Sequence, residues 1–438
     1  MTARRSRAAA RSVGLALAAG LLAGCDGGPE LPPIALGDGG VEELVAETDA
    51  VAERLCRRPA PPGPGPAGGD EEPSAALAEV MEQVESVRGL EFLEPVRAEP
   101  VTRAELVGRL ERFLDYSYPE RILGPRSLAW DTIGVIPDGA SIREALIEYS
   151  SGQVIGFYDP AGGELVFIGT EDPSPLERLT LAHELTHAID DQHFDLDRLN
   201  ELEAACHDEE LAAGVGVVEG SAQYFSLQVA QRFFSPEELA EVLAGGGGSG
   251  PPVSVPPFIQ DLQLWPYLTG LQFVTTVATT EGTQGVDRIL RRFPEATEQV
   301  IHAERYPGDE PQAVGLPDLG PALGSGWRDL DVYTVGEEWL SVALGLRLSG
   351  ADAGAAAAGW DGGRYRAWTD GERVAVALDT VWDSPDDASE FAGAMEDWLD
   401  AEEGSVTDVL RGEDRVAVLW APDDAMLAQM HEGLGAVA

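Results

Sequence analysis

Six histidines occur in 438 residues, and three of them, His183, His187 and His193, fall within eleven positions. The first two frame His183-Glu184-Leu185-Thr186-His187, the pattern HExxH. Four residues make about one turn of an α-helix, so both imidazoles project from one face at a spacing that suits a single Zn²⁺. A carboxylate one residue after the first ligand can reach a water on that metal and take its proton, which gives Glu184 the role of general base. A tetrahedral hydrolytic centre also needs a third protein ligand and one open position. Glu219 is the candidate, because it lies inside the nearly all-apolar run 211–230, where an unpaired carboxylate would be costly. The 32 residues from His187 to Glu219 allow the chain to turn and come back beside the first helix. His193, His207 and the acids of 190–197 are rival ligands, although no His-x-x-Gly-x-x-His continuation follows the motif. Asp190 and Asp191, three and four positions past His187, are candidates to orient an imidazole. One Zn²⁺ per chain is the expected cofactor.

The elements that must carry these residues are legible nearby. Ser174-Pro175-Leu176-Glu177 reads as a capping box with Pro in the first turn, and predicts a helix from there to about Asp191. Leu181, Leu185 and Ala188 would face the core, leaving Thr180, His183, Glu184 and His187 toward a cleft. Just upstream, 154–158 and 164–168 are β-rich runs around Asp159-Pro160-Ala161-Gly162-Gly163, a predicted hairpin. Gly220 would let the Glu219 helix approach the histidine helix closely. The Gly- and Pro-rich run 244–252 lacks the lysine of a phosphate loop and reads as a surface loop.

HExxH followed by a Glu on a second helix resembles the gluzincin class of zinc metallopeptidases. More closely, HELTHAIDDQHFDL at 183–196 with VEGSA at 218–222 is similar to a group of bacterial secreted or lipoprotein peptidases of that class. Their usual pattern is Glu-Gly-Asp-Ala, and here Ser221 stands in place of the Asp. The resemblance spans about 76–320 and implies a peptide or protein substrate. A segment of the same proteins is similar to 297–306, which offers His302 as the catalytic donor to the developing oxyanion, with Tyr306, Tyr224 and Tyr267 as competitors. The fold implied is α+β: a mainly helical zincin-like domain with a small sheet over 76–325, and a smaller C-terminal α+β unit over 326–438. Alternative readings are a non-catalytic envelope-binding lipoprotein on the same fold and a zinc amidohydrolase of cell-wall amides.

Composition narrows the remaining options. Asp and Glu number 77 against 29 basic residues, a formal charge of −48, and every basic side chain is Arg. The absence of lysine removes Schiff-base and P-loop chemistry, and so negative a field argues against nucleic acid as a partner. Arg4, Arg5, Arg7 and Arg11 precede an apolar run, Val13–Ala23, that ends in Leu22-Ala23-Gly24-Cys25. This order resembles a lipoprotein signal over 1–24, with Cys25 as the lipidation site. It predicts an exported protein held to the bacterial envelope membrane by its lipid. Residues 25–75 read as a flexible Pro/Gly tether interrupted by a short helix near 41–57. Cys56 and Cys206 are candidates for a disulfide or, alternatively, two separate buried thiols. Beyond Asp331 the pattern predicts a helix (334–346), an Ala/Gly loop (349–358), a hairpin (364–378), a helix (384–399), a strand (415–420) and a last helix (423–434).

Overall fold

The computed structural model describes residues 40–57, 73–159, 163–168, 172–245, 255–400 and 405–436. The signal-like segment 1–24, Cys25 and most of the Gly/Pro loop lie outside the described residues. The chain opens with α1 (Gly40–Cys56), α2 (Ala75–Arg88), β1 (Arg97–Val101), α3 (Arg103–Ser117), α4 (Glu120–Ile133) and α5 (Ile142–Gln153). The expected hairpin is present as β2 (Gly156–Asp159) and β3 (Glu164–Ile168), antiparallel with Gly156 opposite Phe167. β1 adds to β3 in parallel, giving the order β1-β3-β2. Its Pro100 is tolerated because β1 is an edge strand.

Next come α6 (Pro175–Phe194), α7 (Arg198–Ala205), α8 (Asp208–Phe233) and α9 (Pro236–Gly245). The start of α6 follows the predicted chemistry: Ser174 caps the amide of Glu177, whose side chain returns to the Ser174 amide. The helix stops where Asp195 takes a left-handed φ of 60°. Leu181, Leu185, Ala188 and Ile189 are buried against Leu165 and Phe167 of β3 and Val229 and Ala230 of α8. Each such leucine contributes about 1.5–3 kcal/mol, so the apolar face fixes which way the histidines point.

α10 (Pro257–Trp265), a π-helical turn (Pro266–Gly270), α11 (Leu271–Glu281), α12 (Thr283–Arg291), α13 (Thr297–Ile301) and α14 (Gly320–Leu323) complete this half. The rest comprises β4 (Arg328–Thr334), α15 (Glu337–Gly345), α16 (Gly350–Ala357), β5 (Trp360–Thr369), β6 (Val374–Trp382), α17 (Pro385–Leu399), β7 (Val406–Arg411), β8 (Arg415–Ala421) and α18 (Asp424–Ala436). Its sheet is antiparallel in the order β4-β5-β6-β8-β7. No described helix is long and apolar enough to cross a membrane.

Several expectations need correction. The predicted loop 349–358 is α16, because Ser349 caps the Asp352 amide and the alanines behind it are strong helix formers. The predicted helix starts at Glu337 rather than 334, after strand β4. Side chains from both sides of the expected boundary at 325/326 share one cluster. Trp130 and Ile133 of α4 and Phe258 of α10 pack in one cluster with Trp339, Trp360, Tyr365 and Leu378. Trp130 Nε1 donates to Tyr365 Oη at 3.1 Å, and Tyr365 donates to Asp331 at 2.6 Å. The short helix expected near 41–57 is present as α1 (Gly40–Cys56), and it packs on the rest of the fold. α1 lies on β4, where Thr48 accepts from the Leu316 amide at 3.0 Å and Arg364 meets Asp49 at 2.8 Å. Cys56, the last residue of α1, is disulfide-bonded to Cys206 at the end of α7.

Candidate metal centre

The core face of α6 leaves His183 and His187 on its other side, and α8 brings Glu219 to them. His183 Nε2 lies 3.1 Å from Glu219 Oε2 and 3.1 Å from His187 Nε2, and His187 Nε2 lies 3.5 Å from Glu219 Oε2. These donor atoms form a group that could coordinate a metal ion. Donors about 2.0–2.1 Å from a tetrahedral ion are set about 3.3 Å apart, so the triangle has the right size. The two imidazole planes stand at 88°, and the three side chains keep 12–20 % of their surface exposed, enough to leave a path to solvent.

The electrostatics suit a cation. Burial works against charge on His187, but the Glu219 carboxylate beside it holds its pKa up at about 9. Burial would raise Glu219, and the two imidazoles instead hold it well below the usual carboxylate range. A carboxylate beside two imidazoles favours positive charge among these donors, and metal binding at such a site is coupled to proton release.

Glu184 is buried beside the cluster, and burial raises its pKa despite the neighbouring imidazoles. It accepts the Tyr158 amide of β2. Gly156 permits that approach, since a Cβ there would meet Val166 O at 3.0 Å and Glu184 Cγ at 3.5 Å. On the other side stands Tyr267, its ring stacked on His183 with centroids 6.1 Å apart. Burial, then the charges of Glu219 and Glu184, keep its phenol protonated far above its ordinary range, so it is a hydrogen-bond donor. Tyr267 gets there through a glycine crossing: a Cβ on Gly220 would meet Gly270 O at 2.3 Å, and one on Gly270 would meet Gly216 O at 2.0 Å. The close approach expected of Gly220 is thus to the π-helical turn, not to α6.

Other predicted site residues are placed elsewhere. His302 does not face the cluster; its Nε2 is 2.9 Å from Glu337 Oε1. Glu337 adjoins Glu209, which is ten residues before Glu219 on α8, about 15 Å along the helix. Tyr306 donates to Arg292 O at 2.7 Å, and Tyr224 packs edge-on against Phe225. The Asp190 oxygens accept from Arg88 Nε at 2.7 Å and Ser221 Oγ at 2.7 Å. Asp191 accepts from Tyr158 Oη at 2.8 Å and the Leu196 amide at 2.9 Å, closing the end of α6. Of the rival ligands, His193 meets Glu91 O and His207 meets Glu210. A cavity of about 530 Å³ between α1 and β5, bordered by Asp49, Glu53, Cys206 and Arg364, is separate from the cluster. Sequence reasoning missed Arg88, whose part depends on a contact 102 residues away.

Comparison with known proteins bears on the family. Residues 328–431 match the model of a domain of unknown function, DUF8575. No curated protein matches. A solved structure from Chloroflexus aurantiacus, described as a "putative hydrolase with a novel fold", aligns at 16 % identity over 60 % of this chain and 96 % of its own, with a TM-score of 0.35. The gluzincin assignment is corrected by these findings. The matched family is uncharacterised and lies outside the histidine helix, and no curated peptidase matches the chain, so the comparisons give the gluzincin class no support. The zincin-like description of the fold falls with it, as do the HExxH-peptidase and lipoprotein labels attached to that resemblance. What remains is a mainly helical α+β architecture with two sheets and a His183–His187–Glu219 cluster.

Proposed function

We propose that this chain is a hydrolase whose centre is the His183–His187–Glu219 cluster, acting on amide bonds of peptides with a divalent cation, Zn²⁺ by the chemistry of its donors. The observation that carries the reading is the triangle of donor atoms with edges of 3.1–3.5 Å, which fits a tetrahedral ion and leaves one position open. Such an ion supplies Lewis acidity and makes water acidic enough to react near neutral pH.

The protein's own groups account for the rest. Glu184 is adjacent in sequence to His183 and buried, and the raised pKa of its carboxyl suits a group that takes a proton from water and passes it to a leaving amine. The Tyr158 amide holds one side of that carboxylate and so fixes its direction. Tyr267, a protonated phenol stacked on His183 and hydrogen-bonded to Glu219, would be the group that donates to negative charge developing on a carbonyl oxygen. The Cys56–Cys206 bond accords with an exported protein in an oxidising compartment.

The test is metal analysis of the purified chain with a peptide-library digest, alongside Glu184→Gln. The expected result is about one zinc per chain in both proteins, with hydrolysis at least 100-fold slower in the variant. Full activity in Glu184→Gln would sink the mechanism, and bound zinc with no cleavage of any peptide would sink the activity.

A further inference from the structure

Arg88 ends α2 with its guanidinium withdrawn from solvent. Its Nε is 2.7 Å from Asp190 Oδ1, one terminal nitrogen is 2.7 Å from Asp287 Oδ1, and Phe194 and Phe225 cover it at 5.3 and 4.8 Å. The second Asp190 oxygen accepts from Ser221 Oγ at 2.7 Å. Asp190 lies three residues past His187 on α6, and Ser221 two past Glu219 on α8. The chain Arg88–Asp190–Ser221 therefore crosses between the two ligand-bearing helices within a turn of the ligands on each.

A buried ion pair is a poor way to gain stability, because apolar side chains of similar volume would join the helices as well or better. What it does provide is direction. Apart from the ligands themselves, the α6–α8 contact is largely apolar, made of Leu, Val, Ala, Ile and Phe side chains whose attraction changes little with a small slide. A hydrogen bond from Ser221 to one particular oxygen of Asp190 weakens steeply with the same slide. The donor triangle, whose edges differ by only a few tenths of an ångström, requires that kind of control.

We propose that Arg88, Asp190 and Ser221 are positioning residues that lock the axial register of α8 on α6, and so hold Glu219 at ligating distance from the site shared with His183 and His187. Arg88 fixes the rotamer of Asp190, and Asp190 fixes Ser221. None of the three touches the donor atoms. The proposal rests on the metal-centre reading above.

The experiment is a Co²⁺ titration of the whole chain, read by visible absorption, on wild type, Ser221→Ala, Ser221→Thr and Val229→Ala. Val229 is buried on α8, ten residues from Glu219, so its truncation lowers the melting temperature without touching the bridge. Ser221→Ala should weaken Co²⁺ binding about 10–100-fold and change the ligand-field spectrum, whereas Ser221→Thr, which keeps the hydroxyl, should restore both. Val229→Ala should melt earlier yet bind Co²⁺ as wild type does. Unchanged affinity and spectrum in Ser221→Ala overturns the positioning role alone. Equal weakening in Val229→Ala, or no recovery in Ser221→Thr, also overturns it. Failure of the wild type to bind Co²⁺ overturns the metal centre and the positioning role together.

Discussion

Replacing Glu209 with Gln should stabilise the protein above neutral pH. Glu209 is buried at the start of α8, and burial lifts its pKa from 4.5 to about 7. The two hydrogen bonds from Thr297, at 2.5 and 2.6 Å, pull the other way, and the neighbouring charges of Glu337 and Asp208 push further up. An acid whose pKa is higher in the fold than in the unfolded chain favours the fold while both are protonated, below about pH 4.5. That advantage is lost as pH rises from there through about 7, and above it the folded protein holds a charge that the unfolded chain would place in water. The difference corresponds to about 3 kcal/mol. Glutamine keeps the oxygen that accepts from Thr297 and never ionises. Denaturant melts of wild type and Glu209→Gln at pH 4.5 and pH 8 should therefore agree within about 1 kcal/mol at the lower pH, with the variant ahead by about 3 kcal/mol at the higher. If the variant is the less stable protein at pH 8, the carboxylate there is a net asset and the reasoning fails.

Two further perturbations test how the architecture holds the site. The Cys56–Cys206 bond closes a loop 150 residues long, which by chain entropy is worth about 5 kcal/mol, so Cys56→Ser should melt markedly earlier and exchange amide hydrogens faster in α1. Unchanged melting on full reduction would refute that. Gly220→Ala would press a methyl group against Gly270 O, costing about 1–3 kcal/mol and moving the π-helical turn that carries Tyr267. Hydrolysis should fall more than Co²⁺ affinity, and wild-type turnover in this variant would show that Tyr267 does not need the glycine crossing.

The histidine helix was legible because everything that makes it is local. A capping box, a proline in the first turn and apolar residues at helical spacing all lie within twenty residues. Glu219 was legible as a carboxylate with no reason to sit in an apolar helix unless something there needs it. The place of Tyr267 is not legible in the sequence, because it depends on two glycines fifty residues apart meeting backbone to backbone, and a glycine carries no sign of its partner. For Asp190 the sequence shows the position beside His187 but not Arg88, which reaches it from α2. The gluzincin reading failed for a different reason: HExxH constrains one turn of helix and the chemistry on it, while the fold around it is set elsewhere in the chain. In the C-terminal half, the glycines of α16 suggest a loop, but its alanines and the Ser349 cap make it a helix.

The core shared between the two halves affects what can be cut out of this protein. Residues 328–431, the stretch that matches a family model, share their core with helices outside that stretch. One face of their sheet is finished by Trp130 and Ile133 of α4 and Phe258 of α10, and Asp331 is also held by Arg126 at 3.3 Å. Expressed alone, that stretch would present buried tryptophans to water and leave Asp331 without its arginine. Any protein that uses the same unit without these helices has to supply another cover for that face, and the residues lining it are where such proteins should differ most.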